Sequence, residues 1–308
     1  MNTIQSIINE VKKAIKGKDR AVVTALLAIL ANGNILIEDI PGVGKTTMAV
    51  AFSKALGLGY KRVQFTPDTL PSDITGFSVY NKESGRFTFN KGAVFCNLFL
   101  ADELNRASSR TQSALLEAME EQQVTIEGKS YKLERPFSVI ATQNPVGASG
   151  TQLLPDSQVD RFTVRITMGY PDRESERRML LDRSRRNPLD DIECIVSKEQ
   201  LVAMQNSVKA VFMSDEVAQY IVDIVSMTRN SSLIQRGASP RATLSLADMT
   251  KAAAYAEGRD YVVPQDINKV IVSTLGHRLV LSSEALSKQL DSVQVIKAVL
   301  SKVKAPRI

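Results

Sequence analysis

Tryptophan is absent from this chain, histidine occurs once and cysteine twice. Each shortage closes off a class of function. Aromatic residues make up only 6% of the chain, too few for a platform on which single-stranded nucleic acid could stack. A lone His277, with only Cys96 and Cys194 available as further soft ligands, cannot assemble a metal site and reads as structural. The two cysteines are far apart and form no CxxC pair, so both read as free thiols, with nothing to indicate an oxidising compartment. No apolar run approaches the ~20 residues needed to span a bilayer. The opening Met1-Asn2-Thr3-Ile4-Gln5-Ser6 lacks the basic-then-apolar profile of a secretory signal. The expectation is a cytoplasmic protein.

What is present is ordinary globular composition. The 308 residues are 44% hydrophobic and 23% charged, enough for one core with a smaller attached domain. Thirty-nine Lys and Arg against 33 Asp and Glu give +6, a modest excess. It suits either a phosphate-bearing partner or simply a mildly basic surface. Arg173, Arg177, Arg178, Arg183, Arg185 and Arg186 alternate with Asp172, Glu174, Glu176 and Asp182, the pattern of a solvated helix face with i,i+4 ion pairs.

Along the chain, Ile4, Ile7, Ile8, Val11 and Ile15 recur at helical spacing up to Gly17, and Val22 to Leu30 form a second apolar helix. Short buried strands are expected at 34–37, 60–65, 97–101, 137–142 and 163–166, with helices between them. Two β-hairpins interrupt this alternation, one over 77–89 and one over 124–133. Ser108 or Ser109 would cap the helix after the third strand. Strands alternating with helices predict a parallel sheet sandwiched by helices. From about Ser197 the pattern is helical to Val303, with Ser197, Ser214, Ser239 and Pro264 as start signals. The expected division is 1–190 for a nucleotide-binding core and 191–308 for an all-helical lid.

The chemistry concentrates in Asp39-Ile40-Pro41-Gly42-Val43-Gly44-Lys45-Thr46-Thr47, between a strand and a helix. A glycine-rich turn at a helix N-terminus offers backbone N–H groups and a positive dipole end to an anion. Lys45 would reach the β- and γ-phosphates of ATP, and the Thr46 hydroxyl would bind Mg²⁺. Asp39 stands where the P-loop pattern begins with glycine, a departure that Pro41-Gly42 can absorb. Asp102-Glu103 ends the next apolar strand, where ligands bind in open α/β sheets. Asp102 would hold Mg²⁺ through water and Glu103 would polarise the attacking water. Asn144 closes a further strand and either senses the γ-phosphate or, before Pro145, makes an ordinary turn.

Further stretches carry a specific resemblance: Leu70-Pro71-Ser72-Asp73-Ile74-Thr75-Gly76, residues 100–107, residues 111–121, Ala141-Thr142-Gln143-Asn144-Pro145, Asp160-Arg161-Phe162 and Gly237-Ala238-Ser239-Pro240-Arg241. In order and over nearly the whole chain, they resemble the MoxR family of AAA+ ATPases. The resemblance implies an AAA+ core with a helical lid, a helix-2 insertion (the first hairpin) and a pre-sensor-1 hairpin (the second). It implies Asn144 as sensor 1, Arg161 as an arginine finger reaching a neighbour's ATP and Arg241 as sensor 2, whereas the residues alone would make both arginines surface ion-pair partners. By analogy the region around Gly17 would contact adenine. The family often has Glu two residues after the sensor-1 Asn-Pro; Gly147 stands there, with Ser149 and Gly150 nearby.

The resemblance implies a ring, expected to be a hexamer, that remodels client proteins with a von Willebrand factor A domain partner. The alternatives are a nucleic-acid motor, disfavoured by the modest basic excess and the lack of a separate DNA-binding module, and the ATPase subunit of a metal chelatase. A nucleotide-binding scaffold without turnover is the weakest reading, since Lys45, Asp102, Glu103, Asn144, Arg161 and Arg241 are all present.

Overall fold

The computed structural model describes residues 3–83, 85–144, 153–183 and 187–306. Pro145, Gly147, Ser149, Gly150, Arg185 and Arg186 lie outside the described residues. The chain opens with α1 (Thr3–Ala14) and α2 (Asp19–Leu30), then β1 (Ile35–Glu38), α3 (Lys45–Ala55), β2 (Tyr60–Gln64) and α4 (Pro71–Thr75). The first hairpin is β3 (Gly76–Asn81) and β4 (Arg86–Lys91), followed by β5 (Leu98–Asp102) and α5 (Ser109–Glu121). Of the two candidate caps, Ser108 accepts the Thr111 N–H and starts α5. The second hairpin, β6 (Gln123–Ile126) and β7 (Lys129–Lys132), turns through Glu127 and Gly128, both at positive φ, as a two-residue hairpin of this hand requires. Then come β8 (Ser138–Gln143), α6 (Asp156–Val159), β9 (Val164–Ile166) and α7 (Arg173–Arg183). On α7 the expected pairs form, with Arg177 and Arg178 both on Glu174.

Five parallel strands in the order β2-β5-β8-β1-β9 form the sheet. Its strands divide their side chains between two apolar layers, as period-2 alternation demands. Ile35 and Ile37 of β1, with Leu98 and Leu100 of β5, join α1, α2 and α3 on one face. Leu36, Phe99 and Ala101 join Leu115, Leu116 and Met119 of α5 on the other. The central strands are buried on both faces and read as continuous apolar runs.

The first hairpin stands away from this core. Gly76 at its base has φ +95°, and a Cβ there would meet Asn90 O at 2.3 Å and Gly92 N at 2.7 Å. Phe89 stacks on Tyr131 of the second hairpin at 4.1 Å between ring centroids. Phe77, Tyr80 and Phe87 remain exposed.

After the core come α8 (Lys198–Ala210), α9 (Asp215–Asn230), β10 (Ile234–Arg236), α10 (Pro240–Ala256), α11 (Pro264–Leu275), β11 (Val280–Leu281), α12 (Ser283–Ser287) and α13 (Ser292–Leu300). Ser197, Ser214 and Ser239 cap helices, and Pro264 opens one at its first turn. This lid is helical, with one correction to the expectation of helices throughout: β10 and β11 pair as an antiparallel ladder. Strands of three and two residues carry no period that could be read among helical segments. The lid continues the apolar layer of the α1–α3 face, so core and lid share one hydrophobic cluster.

Inside the lid, Asp266 is fully buried at the start of α11 and takes both Arg259 Nη atoms, at 2.8 and 2.6 Å, and the Val263 N–H at 3.0 Å. Burial alone raises its pKa, but the Arg259 and Val263 hydrogen bonds prevail and hold it below the ordinary carboxylate value. Its folded pKa being depressed, the stabilisation is full above the unfolded value of about 3.9 and is lost as pH falls through the folded one. Asp266→Ala should cost roughly 3 kcal/mol at neutral pH, the usual cost of breaking a buried pair. Chemical denaturation measures this, and an unchanged midpoint would remove the pair from the account of lid stability.

Candidate functional site

Between β1 and α3 the chain turns through Gly42 at φ +85° and Gly44 at φ +95°. A Cβ on Gly42 would meet nothing within 4 Å, so backbone conformation and not space requires glycine there. The loop presents Lys45, which is buried and donates to Asp39 O at 2.7 Å and to Asn144 Oδ1 at 3.1 Å. Burial pushes its pKa below the ordinary lysine value, opposed by the charges of Asp102, Asp39 and Glu103. Asp39 does more than tolerate the position of the missing glycine. Its carboxylate accepts the Met168 N–H at 2.6 Å, the Gly169 N–H at 2.5 Å and its neighbour Ile40 N–H at 2.9 Å, tying the loop to the turn after β9. Lys18 donates to Gly169 O at 2.8 Å from the other side, bringing the Gly17 region to the same turn.

The parallel register carries the acidic groups to the loop. Asp102 is the last residue of β5, and the Thr142 hydroxyl of β8 donates to its Oδ1 at 2.7 Å while accepting the Glu103 N–H at 2.8 Å. Glu103 sits in the left-handed region at φ +55°, a conformation that costs a non-glycine residue about 1–2 kcal/mol. The Asn144 amide donates to Glu103 Oε1 at 3.1 Å. Asn144 therefore bridges Lys45 and Glu103. Arg106 holds Glu103 Oε2 at 2.9 Å.

These groups surround a cavity of about 340 Å³. Pro41, Gly42, Gly44, Lys45, Thr46, Thr47, Asp102, Glu103 and Asn144 all line it, while Val43 packs against the apolar core. Arg62 and Gln64 of β2 also line it and carried no sequence signal. Arg62 grips Asp102 Oδ2 at 2.7 Å. Only the pairing of β2 with β5, which sets Gln64 opposite Asp102, reveals them. A buried cation, a glycine turn at a helix start and a hydroxyl beside a carboxylate fit a polyphosphate with a hard divalent ion.

Arg161 and Arg241 do not line this cavity. Both reach Glu120 near the end of α5: Arg161 Nη1 lies 3.2 Å from Oε2, and Arg241 Nη2 bonds Oε1. Arg241 stands in the first turn of α10, directly after Pro240, where the helix dipole disfavours a cation. Two guanidinium groups, one from the core and one from the lid, thus converge on one carboxylate at the surface.

The strand order, the phosphate loop and the acidic strand end together define a P-loop ATPase of the AAA+ class. A family model described as "ATPase family associated with various cellular activities (AAA)" matches residues 34–164, and one described as "AAA lid domain" matches 226–299. The protein YeaC of Bacillus subtilis is 42% identical over 97% of this chain and 93% of its own length. Chaperone MoxR1 of Mycobacterium tuberculosis is 38% identical over 100% of this chain and 84% of its own. A solved structure of a candidate ATPase from Cytophaga hutchinsonii is 40% identical, superimposes with a TM-score of 0.90, and is matched over 99% of this chain and 96% of that one. The chain belongs to the MoxR family of AAA+ ATPases. It binds nucleotide and hydrolyses ATP.

Two substitutions separate binding from turnover. Lys45→Ala removes the buried point charge and should weaken nucleotide affinity, whereas Glu103→Gln should leave affinity intact and slow hydrolysis roughly 10²–10⁴-fold. Fluorescent-nucleotide titration and steady-state phosphate release check the pair; a Glu103→Gln protein that turns over at the wild-type rate would exclude Glu103 as the water-activating group.

Proposed function

We propose that this MoxR-type ATPase works in the cytoplasm as a ring, a hexamer, whose active sites are shared between neighbouring subunits and whose turnover remodels partner proteins. The observation that carries the shared site is the convergence of Arg161 and Arg241 on Glu120, outside the cavity that gathers Lys45, Thr46, Asp102, Glu103 and Asn144. The cavity's two cations, Lys45 and Arg62, are matched by two carboxylates, Asp102 and Glu103, with Arg62 already paired to Asp102, which leaves it short of the positive charge that phosphoryl transfer requires. Two arginines already arranged around an anion are suited to supply it to the next subunit.

In this reading Lys45 and the loop N–H groups bind the phosphates, with Pro41 through Thr47 as the cradle. Thr46 and Asp102 hold Mg²⁺, which neutralises charge on the β- and γ-oxygens when bound. Glu103 orients the attacking water, and Asn144 keeps that carboxylate in register with Lys45. Arg161 acts as the finger and Arg241 as sensor 2, both on the neighbour's nucleotide. The division near residue 190 then separates a core that carries Arg161 from a lid that carries Arg241, so a change of lid angle alters how the two meet the phosphate. A protein client, with a von Willebrand factor A domain partner, suits the exposed aromatics of the first hairpin better than a nucleic acid does.

Arg161→Ala and Lys45→Ala are each expected to be inactive, the first because loss of a finger costs roughly 10³–10⁵ in rate. Mixed in one assembly, they should recover part of the activity, since some interfaces pair an intact loop with an intact finger. Mixtures that co-assemble by native mass spectrometry yet remain as dead as the separate variants would rule out catalysis shared through Arg161.

A further inference from the structure

Arg278 follows α11 in the lid and is almost completely buried, with a side-chain exposure of 1%. Its contacts are concentrated on one short strap of the core, residues 160–163. Nη2 donates to Asp160 O at 3.0 Å and Phe162 O at 2.9 Å, Nη1 donates to Thr163 O at 3.4 Å, and Nε lies 2.9 Å from Asp160 Oδ1. These contacts bracket Arg161 on both sides. The neighbouring His277 adds Nε2 to the same Phe162 carbonyl at 3.0 Å.

Asp160 links this grip to the second arginine. Its carboxylate also accepts the Ser239 hydroxyl, at 2.9 Å to Oδ2 and 3.1 Å to Oδ1. Ser239 caps α10, and Arg241 stands two residues further on. Strap, cap and both arginines are therefore joined through one carboxylate and one buried guanidinium. Burial pushes the Arg278 pKa down to about 10 against the pull of Asp160. A packed apolar side chain would be the less costly way to fill such a site if packing were all that mattered.

We propose that Arg278 is a positioning residue: by clamping the 160–163 strap and, through Asp160, the start of α10, it sets Arg161 and Arg241 at a fixed spacing for the neighbouring subunit's phosphate. The inference rests on the shared-site reading above. It assigns to the lid a role in finger placement that does not pass through the nucleotide cavity of its own subunit.

Arg278→Met keeps the volume and removes the grip. It should bind ATP in its own loop within about twofold of wild type while turnover falls about 10²-fold, the cost of roughly 1 Å of misplacement. The decisive readout is complementation. Mixed with Lys45→Ala, Arg278→Met should regain activity, because its intact loop meets the neighbour's well-placed finger; a general defect of the subunit would not be rescued this way. Asp160→Asn, at a part-exposed position, should reproduce the pattern and decides the matter if Arg278→Met does not fold. The Arg161→Ala and Lys45→Ala mixture is the control. If the control revives and co-assembled Arg278→Met and Asp160→Asn mixtures do not, or if both variants turn over normally, the inference is overturned alone. If the control itself stays dead, the shared-site reading fails and this inference falls with it.

Discussion

The hydroxyl of Thr142 is the pin on which the nucleotide site turns. It donates to Asp102 and accepts from the Glu103 backbone, so two adjacent acidic residues, the last of β5 and the one after it, are located by one side chain of β8. That works only in the register that sets Leu100 beside Ile140 and Ala101 beside Ala141. A slip of one residue would turn every side chain of the strand to the opposite face and carry Thr142 away from both acids. The register is in turn enforced by the apolar layers, because Phe99 and Leu100 must enter opposite ones. Hydrophobic alternation therefore sets the register in which the Thr142 hydroxyl can place Glu103.

The phosphate loop meets that edge through a second set of bonds. Among the described residues Lys45 has no carboxylate hydrogen-bonding partner; its ammonium is held by a carbonyl and by the Asn144 amide oxygen. Dipoles of this kind orient a cation without neutralising it, and a neutralised lysine would have little attraction left for phosphate. Glu103 differs: one oxygen takes the Asn144 amide and the other an ion pair with Arg106. Asp102 is likewise engaged on both oxygens, by the Arg62 guanidinium and the Thr142 hydroxyl.

Much of this could be read from the residues. The P-loop, the acidic strand end, both hairpins and the helix caps announce themselves through local patterns of glycine, alternation and Ser or Pro starts, which need no knowledge of the tertiary fold. Residues acting across the fold gave no such signal. Arg62 looks like an edge-strand charge until the pairing of β2 with β5 brings it to Asp102. Asp39 reads as a departure from a motif, whereas its carboxylate fastens two backbone amides more than a hundred residues away. His277 reads as structural, and its neighbour Arg278 belongs to no local pattern; their shared target at 160–163 exists only once lid and core have packed together. The β10–β11 ladder was hidden for a different reason: it is too short to have a period.

Glu120 has a consequence for the isolated chain. The chain carries a net charge of +6, and an edge bearing two bare guanidinium groups would be an attractive landing place for any polyanion in the cell. By occupying both arginines at once, Glu120 masks that edge electrostatically until a better-matched anion is presented at close range. Recognition there becomes an exchange of one counter-anion for another rather than the filling of a bare site, and exchange favours the partner with the right geometry over the one that merely has more charge.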